Sequence, residues 1–226
     1  GHRATHMILA ARTNPDPQVK HGGISLFVLP MDTPGITIRP TMAMYGHMFC
    51  NIFFDDVHIP ASMRLGEENG GWRILANALA SERVVMGAFA SEVRNLAARM
   101  VLDLKLHGKG GDAVIRDRMA GLAAEVEVAR QLSLRSIMMS GGAYTPLVES
   151  AMAKVCASEV SQRLTEAGID MFGAACLLGE DAPGVPADGR IEQLLRTSIM
   201  MVVGGGTNEI QRNVIAQRGL GLPVQR

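Results

Sequence analysis

The sequence predicts an α+β protein in which a partial β-barrel or β-sandwich precedes an antiparallel four-helix bundle. Two observations carry this prediction. Short apolar runs separated by Pro and Gly fill residues 1–62, a pattern typical of β-strands. From residue 71 onward, apolar residues recur at helical spacing in four long segments. We therefore expect two domains, residues 1–62 and 63–226, with "ASMRLGEENGG" as the linker before the first helix.

Four apolar runs in the first domain read as strands. Polar turns rich in Pro and Gly bound each run, and one of the four alternates apolar and polar residues. About four strands make a small sheet, which would expose its edges. The four runs are "MILAART", "GISLFVLPM", "GITIRPTMAM" and "NIFFDDVHIP".

The second domain reads as helices with recognisable starts and ends. Asp112 is placed to cap the second helix, and Thr145 followed by Pro146 is a favourable start for the third. Three consecutive glycines end the fourth helix and lead into a short one. The expected helices run from about 71 to 106, 113 to 139, 146 to 171, 189 to 203 and 207 to 218.

The overall composition excludes several classes of function. The chain has 226 residues, 47% hydrophobic and 19% charged, which is enough apolar material for a core. Lys plus Arg and Asp plus Glu both total 22, and this balance argues against a nucleic-acid partner or an acidic membrane surface. Three widely spaced Cys residues indicate neither a disulfide framework nor a zinc site. No apolar run reaches the roughly 18 to 20 residues of a membrane span.

Glu82 interrupts an otherwise apolar helix face. Written as heptads from Trp72, the first long helix has nine seam positions, of which eight are apolar and the ninth is Glu82. One interpretation is a buried ion pair with a cation on a facing helix. The other is a catalytic acid or base, because apolar surroundings favour the protonated form of a carboxylate and proton abstraction needs a base poised nearer neutrality. The neighbouring Arg83 could hold an anion.

The stretch "VVGGGTNEIQR", residues 202–212, is the second candidate site. Glycine allows positive φ and close approach of other groups, and Thr207 can cap the helix that follows. Free N–H groups at a helix start attract anions. An ordinary helix–Gly–helix corner explains one glycine, whereas three favour a phosphate or thioester contact. The six His residues show no ligand spacing within a helix, so no metal site is expected.

Four segments resemble the acyl-CoA dehydrogenases: "GISLFVLPMDTPGITIRP", "FFDDVHIPASMRLGEENGGWRIL", "ASERVVMG" and "GGGTNEIQRNVIAQRGLG". The resemblance runs from about residue 6 to residue 222. The family fold has an N-terminal helical domain, a central β domain and a C-terminal four-helix bundle. The resemblance therefore implies that residues 1–62 are the later part of the middle domain and that the chain is a fragment of a longer protein.

The resemblance also implies a reaction and a base. In the family, a Glu removes the α-proton of an acyl-CoA while the β-hydrogen passes as hydride to FAD, which gives the trans-2-enoyl-CoA. Electrons then go to an electron-transfer flavoprotein, commonly in lipid catabolism such as β-oxidation. One of the two family positions for this base is Gly205 here, and the other is Glu82, as in the isovaleryl, long-chain and bacterial steroid-side-chain branches. Arg83 would lie near the substrate.

Part of the FAD site departs from the family pattern. Gly206, Thr207 and Glu209 match positions near the flavin. A loop that usually reads Gln-x-x-Gly-Gly-x-Gly and holds the cofactor of the partner subunit reads "DMFGAAC" here, so Asp170 replaces Gln and Gly173 remains. Ala174 and Cys176 replace two glycines, which should hinder the approach of a ligand to the backbone. A family Arg that reaches the FAD phosphates is also missing, since "LKLHG" offers only Lys105, out of register.

These departures leave alternatives for the function. The first is an FAD-dependent acyl-CoA dehydrogenase that assembles as a homodimer or homotetramer. The second is a non-catalytic or flavin-poor partner subunit of a heteromeric acyl-CoA dehydrogenase. A third is a related flavin oxidase or nitroalkane-type enzyme, which would consume oxygen without an electron-transfer flavoprotein. The resemblance implies a cytoplasmic protein in a bacterium, or a mitochondrial matrix protein in a eukaryote.

Overall fold

The computed structural model describes residues 1–16, 18, 21–85, 89–140 and 146–223, and side chains at 80, 81 and 83–85 also lie outside the described part. The chain divides into two compact units, Gly1–Leu79 and Ala80–Arg226. The first unit runs past the domain boundary expected at residue 62 and includes the start of the first helix.

The first unit contains two small antiparallel sheets. One sheet has the order β1–β2–β5, formed by His6–Arg12, Ile24–Pro30 and Arg64–Leu65. Its core lies on β2, where Leu26 and Leu29 are buried. The other sheet pairs β3 (Ile36–Met42) with β4 (Met48–Phe54) in a register that sets Ile36 opposite Phe54.

The four predicted strands are therefore confirmed, but they do not form one sheet. The reason lies in the pairing of β2, because β1 occupies one of its edges and β5 occupies the other. No edge of β2 is left for β3, so β3 and β4 pair with each other.

Six α-helices follow the strands in the described part of the chain. The long helix expected over residues 71–106 is described as two, α1 (Gly71–Val85) and α2 (Phe89–Leu106), with residues 86–88 outside the described part. The others are α3 (Ala113–Met139), α4 (Leu147–Phe172), α5 (Arg190–Met201) and α6 (Asn208–Val214), and a π-helical turn continues α6 to Gly219.

Side-chain caps set the start of two helices. Asp112 accepts hydrogen bonds from the backbone N–H groups of Val114 (2.8 Å) and Ile115 (3.1 Å), as the sequence predicts for α3. Thr207 caps α6 by accepting from Ile210 N at 3.3 Å. Helix α4 begins directly after Pro146, and the cap expected at Thr145 lies outside the described residues.

The core of the second unit lies among α2, α3, α4 and α5. Each of these helices turns an apolar stripe toward the others, the arrangement of a four-helix bundle. Short residues such as Ala157 and Ala167 on α4 let neighbouring helices approach closely. The main contributors are Phe89, Val93, Leu96 and Met100 of α2, Met119, Leu122 and Val126 of α3, Val160 and Leu164 of α4, and Ile191 and Leu194 of α5.

Candidate functional site

Glu82 is exposed on α1, so the expectation that it lies in the bundle core is wrong. Among the described seam residues, the first buried one is Phe89, which is 8% exposed, and Leu96 further along α2 is 2% exposed. Earlier seam residues are open, with Trp72 at 40% and Leu79 at 39% exposed. The heptad prediction assumed that one face is buried all along residues 72–100. Burial of that face is seen in α2. The neighbouring Arg83 belongs to the backbone of α1, and its side chain lies outside the described part.

The turn between α5 and α6 depends on glycine at two positions. Gly205 and Gly206 both have positive φ, +66° and +87°, which L side chains rarely adopt. A Cβ on Gly206 would stand 2.5 Å from Gln211 Nε2. That amide nitrogen donates to Gly205 O at 2.9 Å, so the fully buried Gln211 holds the turn from inside. Gly206 is thus explained by contacts within the chain.

Thr207 and Glu209 lie together at the start of α6 and bond to each other. The Thr207 oxygen accepts from Ile210 N, and its hydroxyl donates to the Glu209 carboxylate. Glu209 also accepts from its own backbone N–H, and these two hydrogen bonds lower the pKa of its carboxyl. The structure therefore brings Gly206, Thr207 and Glu209 together at one turn, as the sequence implies.

A buried lysine beneath this turn was missed at the level of sequence. Lys154 lies on α4 and is only 3% exposed. Its Nζ donates to Asn208 Oδ1 at 2.6 Å and to Val202 O at 3.0 Å. Burial lowers its pKa from 10.5 to about 8, because desolvation disfavours the charged form. The available signal was its helical spacing from Ala151 and Ala157, which places a charged residue among small ones on a buried helix face.

Asp170 and Gly173 lie at the other end of α4. Asp170 is roughly 24 Å further along the helix axis than Lys154, at 1.5 Å per residue, and Gly173 follows the end of the helix. The Asp170 carboxylate forms an ion pair with Arg118 of α3 at 2.8 Å. Gly173 has a φ of +77°, and a Cβ added there would meet no atom within 4 Å. The two halves of the predicted cofactor site are therefore far apart within one chain.

The residues at the α4 end fit the expected FAD only in part. The open backbone at Gly173 can receive a group from outside the chain. Cys176 does not hinder such an approach, contrary to expectation, because its thiol is fully buried and bonds to Gly168 O at 3.4 Å. Asp170 fits poorly, because a carboxylate cannot donate a hydrogen bond as the amide of the family's Gln can, and its charge has the same sign as that of FAD.

Other features of the described residues lie away from this turn. A surface cavity of about 730 Å³ between α2 and α3 is lined by Leu104, Lys105, Ile115 and Met119, among others, and by none of the predicted site residues. Within the described part of the chain, no group of three His, Cys, Asp or Glu residues could hold a metal ion. None of the helices described is both long and apolar enough to cross a membrane.

Comparison with known sequences places this geometry in a family. The sequence model described as "Acyl-CoA dehydrogenase, C-terminal domain" matches residues 69–220, more than half of the chain. The acyl-CoA dehydrogenase FadE26 of Mycobacterium tuberculosis is 30% identical over 236 residues, which cover 97% of this chain and 58% of FadE26. The human mitochondrial short-chain specific acyl-CoA dehydrogenase is 29% identical over 210 residues, 89% of this chain and 49% of the human protein. The chain thus spans about half the length of these relatives.

Solved structures give the same result. The Tcur3481–Tcur3483 steroid acyl-CoA dehydrogenase matches with a TM-score of 0.92 and 28% identity, covering 99% of this chain and 58% of that one. The ChsE4–ChsE5 complex of Mycobacterium tuberculosis matches with a TM-score of 0.82 and 29% identity, covering 99% of this chain and 59% of the other. Both of these relatives contain two different subunits, as their names state.

Proposed function

Because the chain belongs to the acyl-CoA dehydrogenase family, we propose that it is part of an FAD-dependent enzyme that dehydrogenates an acyl-CoA thioester at its α and β carbons. The product is the trans-2-enoyl-CoA, and the electrons pass to an electron-transfer flavoprotein. Glu82 acts as the base that removes the α-proton, and Arg83 lies near the substrate. The enzyme is an oligomer of like or unlike subunits.

Gly205 is the observation that carries the assignment of Glu82. A base at position 205 would need a side chain at a backbone φ of +66°, where an L residue is strained. Glycine also has no group that can accept a proton. The family resemblance implies that Glu82 is the other base position, and its exposure on α1 supports this role because the carboxylate is accessible.

Each site residue of this chain would have its own role in the reaction. Glu82 takes the α-proton on a carboxylate oxygen, which requires the ionised form of the side chain before reaction. Gly206, Thr207 and Glu209 would hold the flavin end of FAD, and Gly173 would receive the cofactor of a neighbouring subunit. Bound FAD supplies the acceptor for the β-hydrogen, which leaves as hydride.

Glu82→Gln tests the assignment because it keeps the size of the side chain and removes the base. In the flavoprotein that contains this chain, we expect acyl-CoA to bleach the flavin absorbance at least about a hundredfold more slowly in the variant. The measurement is anaerobic stopped-flow absorbance at saturating acyl-CoA.

Glu92→Gln is the matched control for this experiment. Glu92 is an exposed carboxylate in the first turn of α2, and the variant should reduce its flavin at the unmodified rate. Undiminished flavin reduction by the Glu82→Gln protein would refute the role of Glu82.

A second candidate is a flavin-poor partner subunit within a heteromeric acyl-CoA dehydrogenase. The ion pair between Asp170 and Arg118 favours it, since the carboxylate stands where the family uses an amide. The two-subunit composition of Tcur3481–Tcur3483 and ChsE4–ChsE5 also supports it. The molar ratio of bound flavin to this chain separates the candidates. One flavin per chain supports the first candidate, and a clearly lower ratio supports the second.

A further inference from the structure

The turn between α5 and α6 is closed at a single carbonyl oxygen. Val202 O, just after the end of α5, accepts the backbone N–H of Asn208 at 2.9 Å. The same oxygen accepts from Lys154 Nζ at 3.0 Å. Residues 203–207 therefore form a loop whose two ends are joined to each other and to α4.

Lys154 joins both ends of this loop at once. In addition to Val202 O, its Nζ bonds to the side chain of Asn208 at 2.6 Å, so two of its three donor hydrogens are used. A buried ammonium is costly unless polar partners replace its water. Glu209 and Glu159 supply negative charge nearby and raise the pKa of Lys154, against the larger effect of burial.

Further bonds on α4 and α6 fix the amide of Asn208. Its Nδ2 donates to Ser158 Oγ at 3.1 Å and to Glu159 Oε1 at 3.3 Å. Glu159 also forms an ion pair with Arg212, one turn further along α6. The Ser158 hydroxyl also lies 3.2 Å from Asn208 Oδ1 and can donate to it, so this hydroxyl fits either orientation of the amide. Lys154 can only donate and the Glu159 carboxylate can only accept, so the amide has one favourable orientation, with Oδ1 facing Lys154.

The glycines give the turn little rigidity of their own. Gly204, Gly205 and Gly206 are consecutive, and glycine loses more conformational freedom on folding than any other residue. The side-chain amide of Gln211 supports the turn from α6 by donating to Gly205 O at 2.9 Å and, at the longer distance of 3.5 Å, to Gly206 O. The clamp formed by Lys154 and Asn208 is what ties its ends to the long helix.

We propose that Lys154 and Asn208 are positioning residues, which fix residues 203–207 so that Gly206 and Thr207 meet the flavin and the thioester in a reactive arrangement. This inference rests on the proposed function, because it assigns a purpose to the turn in that reaction. Neither side chain contacts the reacting atoms in this role. Both act through the backbone of the turn.

Lys154→Met tests the proposal, since it keeps an unbranched side chain of similar length and removes the donors. We expect the limiting rate of flavin reduction to fall about tenfold, because small displacements of a positioned group are costly, with little change in the acyl-CoA concentration for half-maximal rate. The amides of residues 203–206 should exchange with deuterium at least about tenfold faster. Arg135→Met, which removes an exposed cation on α3, should change neither quantity.

A pair of variants at Asn208 keeps the proposal testable if Lys154→Met does not fold. Asn208→Asp combined with Glu159→Gln retains an acceptor for Lys154 and replaces the bond between Asn208 and Glu159 by one of opposite direction, so both the limiting rate and the slow exchange should be kept. Asn208→Leu has a similar volume without the acceptor, and it should behave as expected for Lys154→Met. Equal rates in the two Asn208 variants would overturn the proposal.

The two measurements also separate this inference from the proposed function. Faster exchange without a slower limiting rate would refute a positioning role. A slower rate with unchanged exchange would refute the clamp. If acyl-CoA does not reduce the unmodified flavoprotein, the proposed function fails, and the exchange of residues 203–206 alone decides whether Lys154 holds the turn.

Discussion

Lys154 keeps a titratable ammonium where only 3% of the residue is exposed. Burial lowers its pKa from 10.5 to about 8, so the folded protein releases this proton at a lower pH than the unfolded chain does. Between these two pKa values the unfolded chain binds the proton and the folded protein does not. The free energy of unfolding should therefore rise with pH across this window.

We expect this rise to disappear in Lys154→Met. A shift from 10.5 to about 8 corresponds to at most about 3 kcal/mol between the two ends of the window. Urea unfolding at several pH values between about 7 and 10 measures it as the difference between the unmodified protein and the variant.

The comparison with the variant is needed because buried thiols change the free energy of unfolding with pH in the opposite direction. Burial raises the pKa of Cys176 to about 11 and also raises that of Cys156, so both lower stability as the pH rises. A variant whose stability follows the same pH slope as the unmodified protein would contradict the assignment to Lys154.

Thr207 and Glu209 each have two explanations, one as part of the helix start and one as part of a cofactor site. Their hydrogen bonds account for both side chains as the start of α6, without any ligand. Their contact with FAD is implied by the family motif and stays a proposal. The contact between Lys154 and Asn208 was not predicted, because 54 positions separate the two residues in the sequence.

At the level of secondary structure, two glycines in opposite environments test how backbone conformation affects the free energy of unfolding. Gly121 lies in the middle of α3, is exposed, and has no atom within 4 Å of an added Cβ. Gly121→Ala should raise the free energy of unfolding by about 0.5 to 1 kcal/mol, because Ala loses less backbone entropy in a helix.

Gly206→Ala should act in the opposite direction. Its φ of +87° and the 2.5 Å approach of an added Cβ to Gln211 Nε2 both oppose a side chain. We expect a loss of about 1 to 3 kcal/mol, within the range measured for strained backbone positions. Denaturant midpoints of the two variants check both signs, and a Gly206→Ala protein as stable as Gly121→Ala would contradict the turn geometry.

The sequence predicts elements well where local chemistry decides them. Asp112 marks the start of α3 because its side chain bonds to N–H groups only two and three residues away. The same reasoning fails where distant pairing decides. The strand Arg64–Leu65 takes the second edge of β2, and nothing in so short a segment indicates that partner. The prediction that Glu82 lies in the core failed because heptad spacing alone does not show which part of a helix is buried.

At the level of the whole molecule, the family and the bundle follow from sequence, whereas the pairing of residues at the proposed cofactor site does not. Asp170 illustrates this, since its replacement of Gln is visible in the sequence but its pairing with Arg118 is not. If that ion pair weakens flavin binding, Asp170→Gln should raise the ratio of bound flavin to chain, measured by absorbance after gel filtration. An unchanged ratio would contradict this effect of the ion pair on flavin binding.

Helix α4 fixes the distance between Lys154 and Asp170. Lys154 and Asp170 stand roughly 24 Å apart along one hydrogen-bonded helix, which cannot shorten without breaking. Under the proposed function, an FAD that meets both the α5–α6 turn and Gly173 without spanning this length would contact two different copies of α4. Under that proposal, association of subunits would be a condition for a complete cofactor site.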